Sequence, residues 1–185
     1  MMPELSLNIL DVAQNSVTAG ASLTIIDIVA ERTSDRLSIA ISDNGHGMTA
    51  NQVAKVADPF FTTRTTRKVG LGVPFFKMAA ELTGGDFSIE SKLGVGTTMR
   101  ASFGLSHIDR MPLGDIASTF VSLVGPNPMI DFVLSYRVDD RSFTADTRQF
   151  RAMLGDVPLS EPEVLDFVLG YINENRSDCD DRSPF

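Results

Sequence analysis

The chain has 185 residues, 43% of them hydrophobic and 22% charged, which fits one soluble domain of usual size or a compact domain with a substantial appendage. No apolar run approaches the ~20 residues of a membrane span, the N-terminus lacks the basic-then-apolar order of a signal peptide, and a cytoplasmic protein is expected. The net charge of −8 falls unevenly, nine basic against ten acidic residues in 1–105 and seven against fourteen in 106–185, which disfavours nucleic-acid binding and makes the second part either an acidic solvated face or a surface for a basic protein partner.

The first helix is expected over Leu5 to Ala19, where Leu5, Ile9, Val12, Ala13 and Ser16 recur at a spacing of three and four. Asp11 and Asn15 lie four apart and stack on a neighbouring face, and Gly20 stops the helix. Two β-rich runs follow, Leu23 to Ala30 and Arg36 to Ser42, and then a helix-like run from Thr49 to Ala57. Residues 58–72 show neither period and read as a functional or mobile loop. A helix from Val73 to Thr83 carries Pro74 in its first turn and ends at Gly84-Gly85. Strands Asp86 to Ser91 and Thr98 to Leu105 complete the first part.

Beyond Leu105 the pattern predicts a helix over Leu113 to Leu123 and strands over Met129 to Val138 and Ser142 to Asp146. Asp146 with Gln149 and Ser160 with Glu163 are spaced as N-cap pairs, the second opening a helix from Glu161 to Asn175. The tail from Arg176 is polar and expected to fray. With no repeat and no low-complexity linker, residues 106–185 are expected to dock on the first part. The lone Cys179 excludes an internal disulfide, and His46 and His107 form no paired metal motif, so a zinc enzyme is not expected.

Asp43-Asn44-Gly45-His46-Gly47-Met48 stands between a strand and a helix. A carboxylate there can hydrogen-bond a flat heterocycle, and the two glycines let the backbone pass close beside it. Taken alone, the hexapeptide also fits an ordinary Asn-Gly turn. His46 reads as a loop residue.

The ordered set is Asn15, Asp43-x-Gly45-x-Gly47, Asp58-Pro-Phe-Phe-Thr-Thr, Gly70-Leu71-Gly72 and Gly94-x-Gly96-Thr97. It resembles the Bergerat-fold nucleotide-binding domain of the GHKL superfamily, which includes gyrase, mismatch-repair ATPases, heat-shock chaperones and histidine kinases. Residues 58–98 look like the lid, helix and final hairpin of sensor histidine kinases, whereas Asn15-Ser16-Val17-Thr18-Ala19-Gly20-Ala21 is similar to the mismatch-repair version. The resemblance implies an α/β two-layer sandwich over 1–105, with helices on one face of a mixed, mainly antiparallel sheet. A small acidic α+β extension over 106–185 matches no family.

Carried over by residue, the resemblance gives Asn15 to Mg²⁺ and Asp43 to the adenine amino group, with Thr97 reaching the same base. Gly45 and Gly47 would line the base pocket, and Gly70, Leu71 and Gly72 would meet the ATP phosphates at a helix start. Arg64, Arg67 and Lys68 supply lid cations; Lys68 is the nucleotide-binding candidate among them. Asp11, one turn before Asn15, stands where gyrase and mismatch-repair relatives carry a water-activating glutamate and where anti-sigma serine kinases carry an acid; it also fits a solvent-facing position. A histidine acceptor helix ahead of Leu5 is not expected, and His107 does not resemble the acceptor motif. Three functions remain: a regulatory ATPase with slow hydrolysis, a serine/threonine kinase of the anti-sigma type, and a non-catalytic nucleotide-gated module.

Overall fold

In the computed structural model, which describes residues 2–56 and 71–181, every second residue of β1 (Leu23–Glu31) is buried, namely Thr24, Ile26, Ile28 and Ala30. The neighbouring β2 (Arg36–Asp43) does the same with Leu37, Ile39 and Ile41, as the two-residue period of a half-buried strand requires. Register lines these side chains up, with Ile41 opposite Ile26 on one side and Met99 of β4 (Gly96–Gly104) on the other. The six-stranded sheet also holds β3 (Phe87–Lys92), β5 (Asp131–Val138) and β6 (Arg141–Asp146), in the order β3-β4-β2-β1-β5-β6. Among the described strands only β1 and β5 pair in parallel.

Helices cover the apolar face. α1 (Leu5–Thr18) packs between α3 (Gly72–Leu82) and α4 (Ile116–Val124), and α6 (Pro162–Cys179) lies beyond α4. Each fully buried aliphatic or aromatic side chain, such as Ile9, Phe76, Phe120 or Ile172, contributes about 1.5–3 kcal/mol of transfer free energy. The expected two-layer sandwich with a mixed sheet and helices on one face is therefore present. β5 and β6 prolong the sheet, so Ile26, Ile28 and Ala30 pair with Leu134, Tyr136 and Val138.

α1 begins without a side-chain cap of its own. Instead Leu5 N–H and Ser6 N–H donate to the carbonyls of Pro112 and Leu113, at 3.0 and 2.8 Å, and satisfy two of the four free donors of a helix start. Arg176 of α6 grips the next residue, its Nη1 2.6 Å from Gly114 O. This contact corrects the expected helix over Leu113 to Leu123. Leu113 lies in the extended segment that caps α1, and α4 starts after Asp115, whose carboxylate accepts from Ser118 N–H.

At the other end, α6 runs to Cys179, so the tail from Arg176 is ordered through Asp181. Arg176 Nε meets Asp180 at 3.3 Å, and Asp180, 2% exposed, accepts from Tyr136 Oη at 2.7 Å. Ser160 does not cap α6; Glu161 occupies that place, with no side-chain hydrogen bond. Of the other pair, Asp146 does open α5 (Thr147–Leu154), but it accepts from Arg148 N–H and from the Arg148 side chain. The short α2 (Ala50–Val56) has a reciprocal box: Thr49 N–H donates to Gln52 Oε1 and Gln52 N–H to Thr49 Oγ1.

Candidate functional site

A polar row lies at one end of the sheet, and its two central members, Asp43 and Thr97, line the site. Thr24, Asp43, Thr97 and Ser91 are successive cross-strand partners on β1, β2, β4 and β3. Both carboxylate oxygens of Asp43 are fixed: Oδ1 accepts from Gly45 N–H and Oδ2 from Ser16 Oγ, each at 2.8 Å. Each oxygen keeps a lone pair for a further donor. Ser16, which the sequence shows on the core face of α1 and within the Asn15–Ala21 run, is thus a site residue as well.

The turn after β2 forms a second wall, stitched to its surroundings by main-chain bonds. His46 N–H donates to Ala19 O at 2.9 Å, Gly94 N–H donates to His46 O at 2.8 Å, and Met48 N–H donates to Ser91 Oγ at 2.8 Å. His46 Nδ1 lies 2.7 Å from the Gly47 carbonyl, which fits a loop role. Gly47 has φ +68°, and a Cβ on it would sit 2.1 Å from Lys92 O, so both conformation and space demand glycine. Gly45 stands one layer back, packed against Ala19, where it orients Asp43.

Helices α1 and α3 supply the third wall. α1 ends in a Schellman turn, with Gly20 N–H bonded to Val17 O and Ala21 N–H to Ser16 O. Asp11 and Asn15, one turn apart, face the cavity. Gly72, the first residue of α3, packs directly on Asp11, since an added Cβ would lie 2.8 Å from Asp11 Cβ and 3.3 Å from its Oδ2. The cavity measures about 530 Å³, within the range of ligand pockets.

Asp11, Asn15, Asp43, Gly47, Leu71, Gly72 and Thr97 thus line one cavity, with Ile41, Val73 and Met99 as apolar walls. Lys68 and Gly70, like Arg64, Arg67 and the run from Asp58, lie outside the described residues. The arrangement combines a hydrogen-bonding carboxylate over an apolar slot at one end with a helix N-terminus at the other. A flat heterocycle bearing a donor fits the first, and an anionic tail fits the second.

Residues 3–107 match the family described as histidine kinase-, DNA gyrase B- and HSP90-like ATPases. The chain belongs to this family. Among the relatives of this ATPase domain, a putative sensor protein of Shewanella frigidimarina is 30% identical over 103 residues, 55% of this chain and 16% of that protein. A probable C4-dicarboxylate sensor kinase of Bacillus subtilis is 33% identical over 78 residues, 42% of this chain and 15% of that protein. The matched region is thus less than a fifth of either relative. The MutL ATPase domain of Aquifex aeolicus, solved with ADP, shares the fold at TM-score 0.53 and 15% identity, over 74% of this chain and 61% of that one. The N-terminal domain of a DNA repair protein does so at 0.50 and 15%, over 78% and 52%. Family membership implies ATP binding, and no described helix is long and apolar enough to cross a membrane.

Proposed function

We propose that the protein binds Mg-ATP in this cavity and hydrolyses it slowly, as a regulatory ATPase whose nucleotide state is read by a protein partner. The observation that carries this reading is the packing of Asp11 on Gly72, which brings a carboxylate beside the start of α3. A helix N-terminus is where the terminal phosphates are best held, so the carboxylate stands where an attacking water needs a base. Asp43, with both oxygens aimed by donors, receives the adenine amino group at the other end, and Thr97 serves the same base. Gly47 gives the base room, and Leu71 and Gly72, with Gly70 and Lys68 preceding them, serve the phosphates.

Among the described residues no three His, Cys, Asp or Glu side chains gather as a metal site. Asn15 offers one hard oxygen donor in the cavity, which fits Mg²⁺ because this ion takes few protein ligands and draws the rest from phosphates and water. When bound, the ion would neutralise phosphate charge. Residues 1–105 hold the nucleotide in this reading, and the acidic 106–185 part carries the partner contact.

The test is phosphate release from Mg-ATP by the pure protein beside Asp11→Ala and Asn15→Ala, with binding measured on the same samples. Turnover that falls roughly 10²–10⁴-fold in Asp11→Ala while binding survives identifies an ATPase with Asp11 as its base. Turnover seen only with an added serine- or threonine-bearing protein identifies a kinase of the anti-sigma type, and binding without chemistry a nucleotide-gated module. Failure to bind nucleotide refutes the reading.

A further inference from the structure

Ser91 faces Thr97 across β3 and β4, and Thr97 faces Asp43 across β4 and β2. Thr97 is 9% exposed and lines the cavity. The Ser91 hydroxyl has one proton and two lone pairs. Met48 N–H, 2.8 Å away, occupies one lone pair. Two other oxygens are within reach, Thr97 Oγ1 at 2.8 Å and Gly96 O at 3.0 Å. A carbonyl only accepts, so the single Ser91 proton goes to one or the other. Given to Gly96, it leaves Thr97 to donate back to Ser91 and to show the cavity lone pairs alone. Given to Thr97, it releases the Thr97 proton toward the ligand.

Asp43 demands a donor from the ligand. A base that meets it with an amino group and carries a ring acceptor beside that group needs a donating hydroxyl next to the carboxylate. Adenine has this pair, whereas guanine carries an oxygen in place of the amino group. Building on the nucleotide reading above, we propose that Ser91 is a positioning residue that sets base specificity by donating to Thr97. Of the two oxygens that could take the proton, Thr97 Oγ1 is the nearer, 2.8 against 3.0 Å, and the resulting chain from Met48 N–H through Ser91 and Thr97 to the base is cooperative, each bond polarising the next.

The experiment titrates ATP and 1-deaza-ATP, in which that ring nitrogen is replaced by C–H, into the wild type, Ser91→Ala, Ser91→Cys, Thr97→Val and the Ser91→Ala/Thr97→Val pair, by calorimetry. The wild type is expected to prefer ATP. In both Ser91 variants the preference falls roughly two- to tenfold, the worth of one net hydrogen bond, and almost wholly through ATP. In the Thr97→Val background Ser91→Ala lowers it no further. Circular dichroism checks folding, and the near-isosteric cysteine variant carries the comparison if the alanine variant does not fold. A variant that weakens both ligands equally, or neither, overturns the role of Ser91 while the nucleotide site stands. A wild type that binds neither ligand overturns the nucleotide reading and this inference together.

Discussion

Asn8 of α1 is fully buried, and neither polar atom of its side chain has a hydrogen-bond partner among the described residues. Leaving such an amide unpaired costs about 1–3 kcal/mol. Asn8→Leu, which keeps the side chain's branching and heavy-atom count, is expected to raise the midpoint of thermal unfolding by about 2–4 °C per kcal/mol recovered in a chain of this size, read by scanning calorimetry. A lowered midpoint would show that the larger apolar side chain costs more in this packed site than the unpaired amide does. Three residues further on, the Asp11–Gly72 contact leaves no room for a methyl group. Gly72→Ala should improve α3 as a helix yet displace Asp11, and a shift of about 1 Å can cost on the order of 10²-fold in turnover. Phosphate release should therefore fall far more than ATP affinity. These details differ in how far the sequence showed them. Asp43, Gly47 and Asn15 stood in an ordered motif set, whereas the bond from Ser16 to Asp43 joins residues 27 apart whose pairing no local pattern encodes. Asn8 was missed because the apolar stripe of Leu5, Ile9 and Val12 marks only the centre of the buried surface. With α3 on one side and α4 on the other, the flanks of α1 are covered as well.

Elements were legible where a period or a cap was strong. The alternation in β1 and β2 located both strands to within a residue, and Asp146 marked the start of α5. Ser160 had the right spacing and failed, since the chain enters α6 through Glu161 with Pro162 as its first residue. The Asp146 cap also has a pH signature. Hydrogen bonds from the Arg148 side chain are the main influence holding its carboxyl below the ordinary range; burial opposes them, and Arg148 N–H assists. A depressed carboxyl stabilises the fold above its unfolded value of about 3.9 and loses that contribution as pH falls through the lower folded value. Asp146→Asn should thus be less stable than the wild type at neutral pH, with the difference shrinking below about pH 4, as urea titrations across that range would show.

The strand order was the least legible feature of the whole molecule, because the alternation in β5 shows which face is buried and not which strand lies beside it. Its place next to β1 means that the family match ends at residue 107 while the sheet and helix layer continue. A chain cut after residue 107 would bare the long edge of β1 and remove the carbonyls that cap α1. Such a fragment is expected to unfold at lower urea, with a broader transition than the full chain, by circular dichroism. Arg176→Ala, which frees Gly114 O and the buried Asp180, tests the same dependence by a single change and should lower stability by about 3 kcal/mol or more. Pairing residues 23–30 with 131–138 also sets a timetable during synthesis. At about 5–20 residues per second, the ribosome needs on the order of 5–20 s to make the segment that completes β1. Through that interval the nascent nucleotide-binding half presents an open, apolar strand edge, the kind of surface to which chaperones and other nascent chains are drawn.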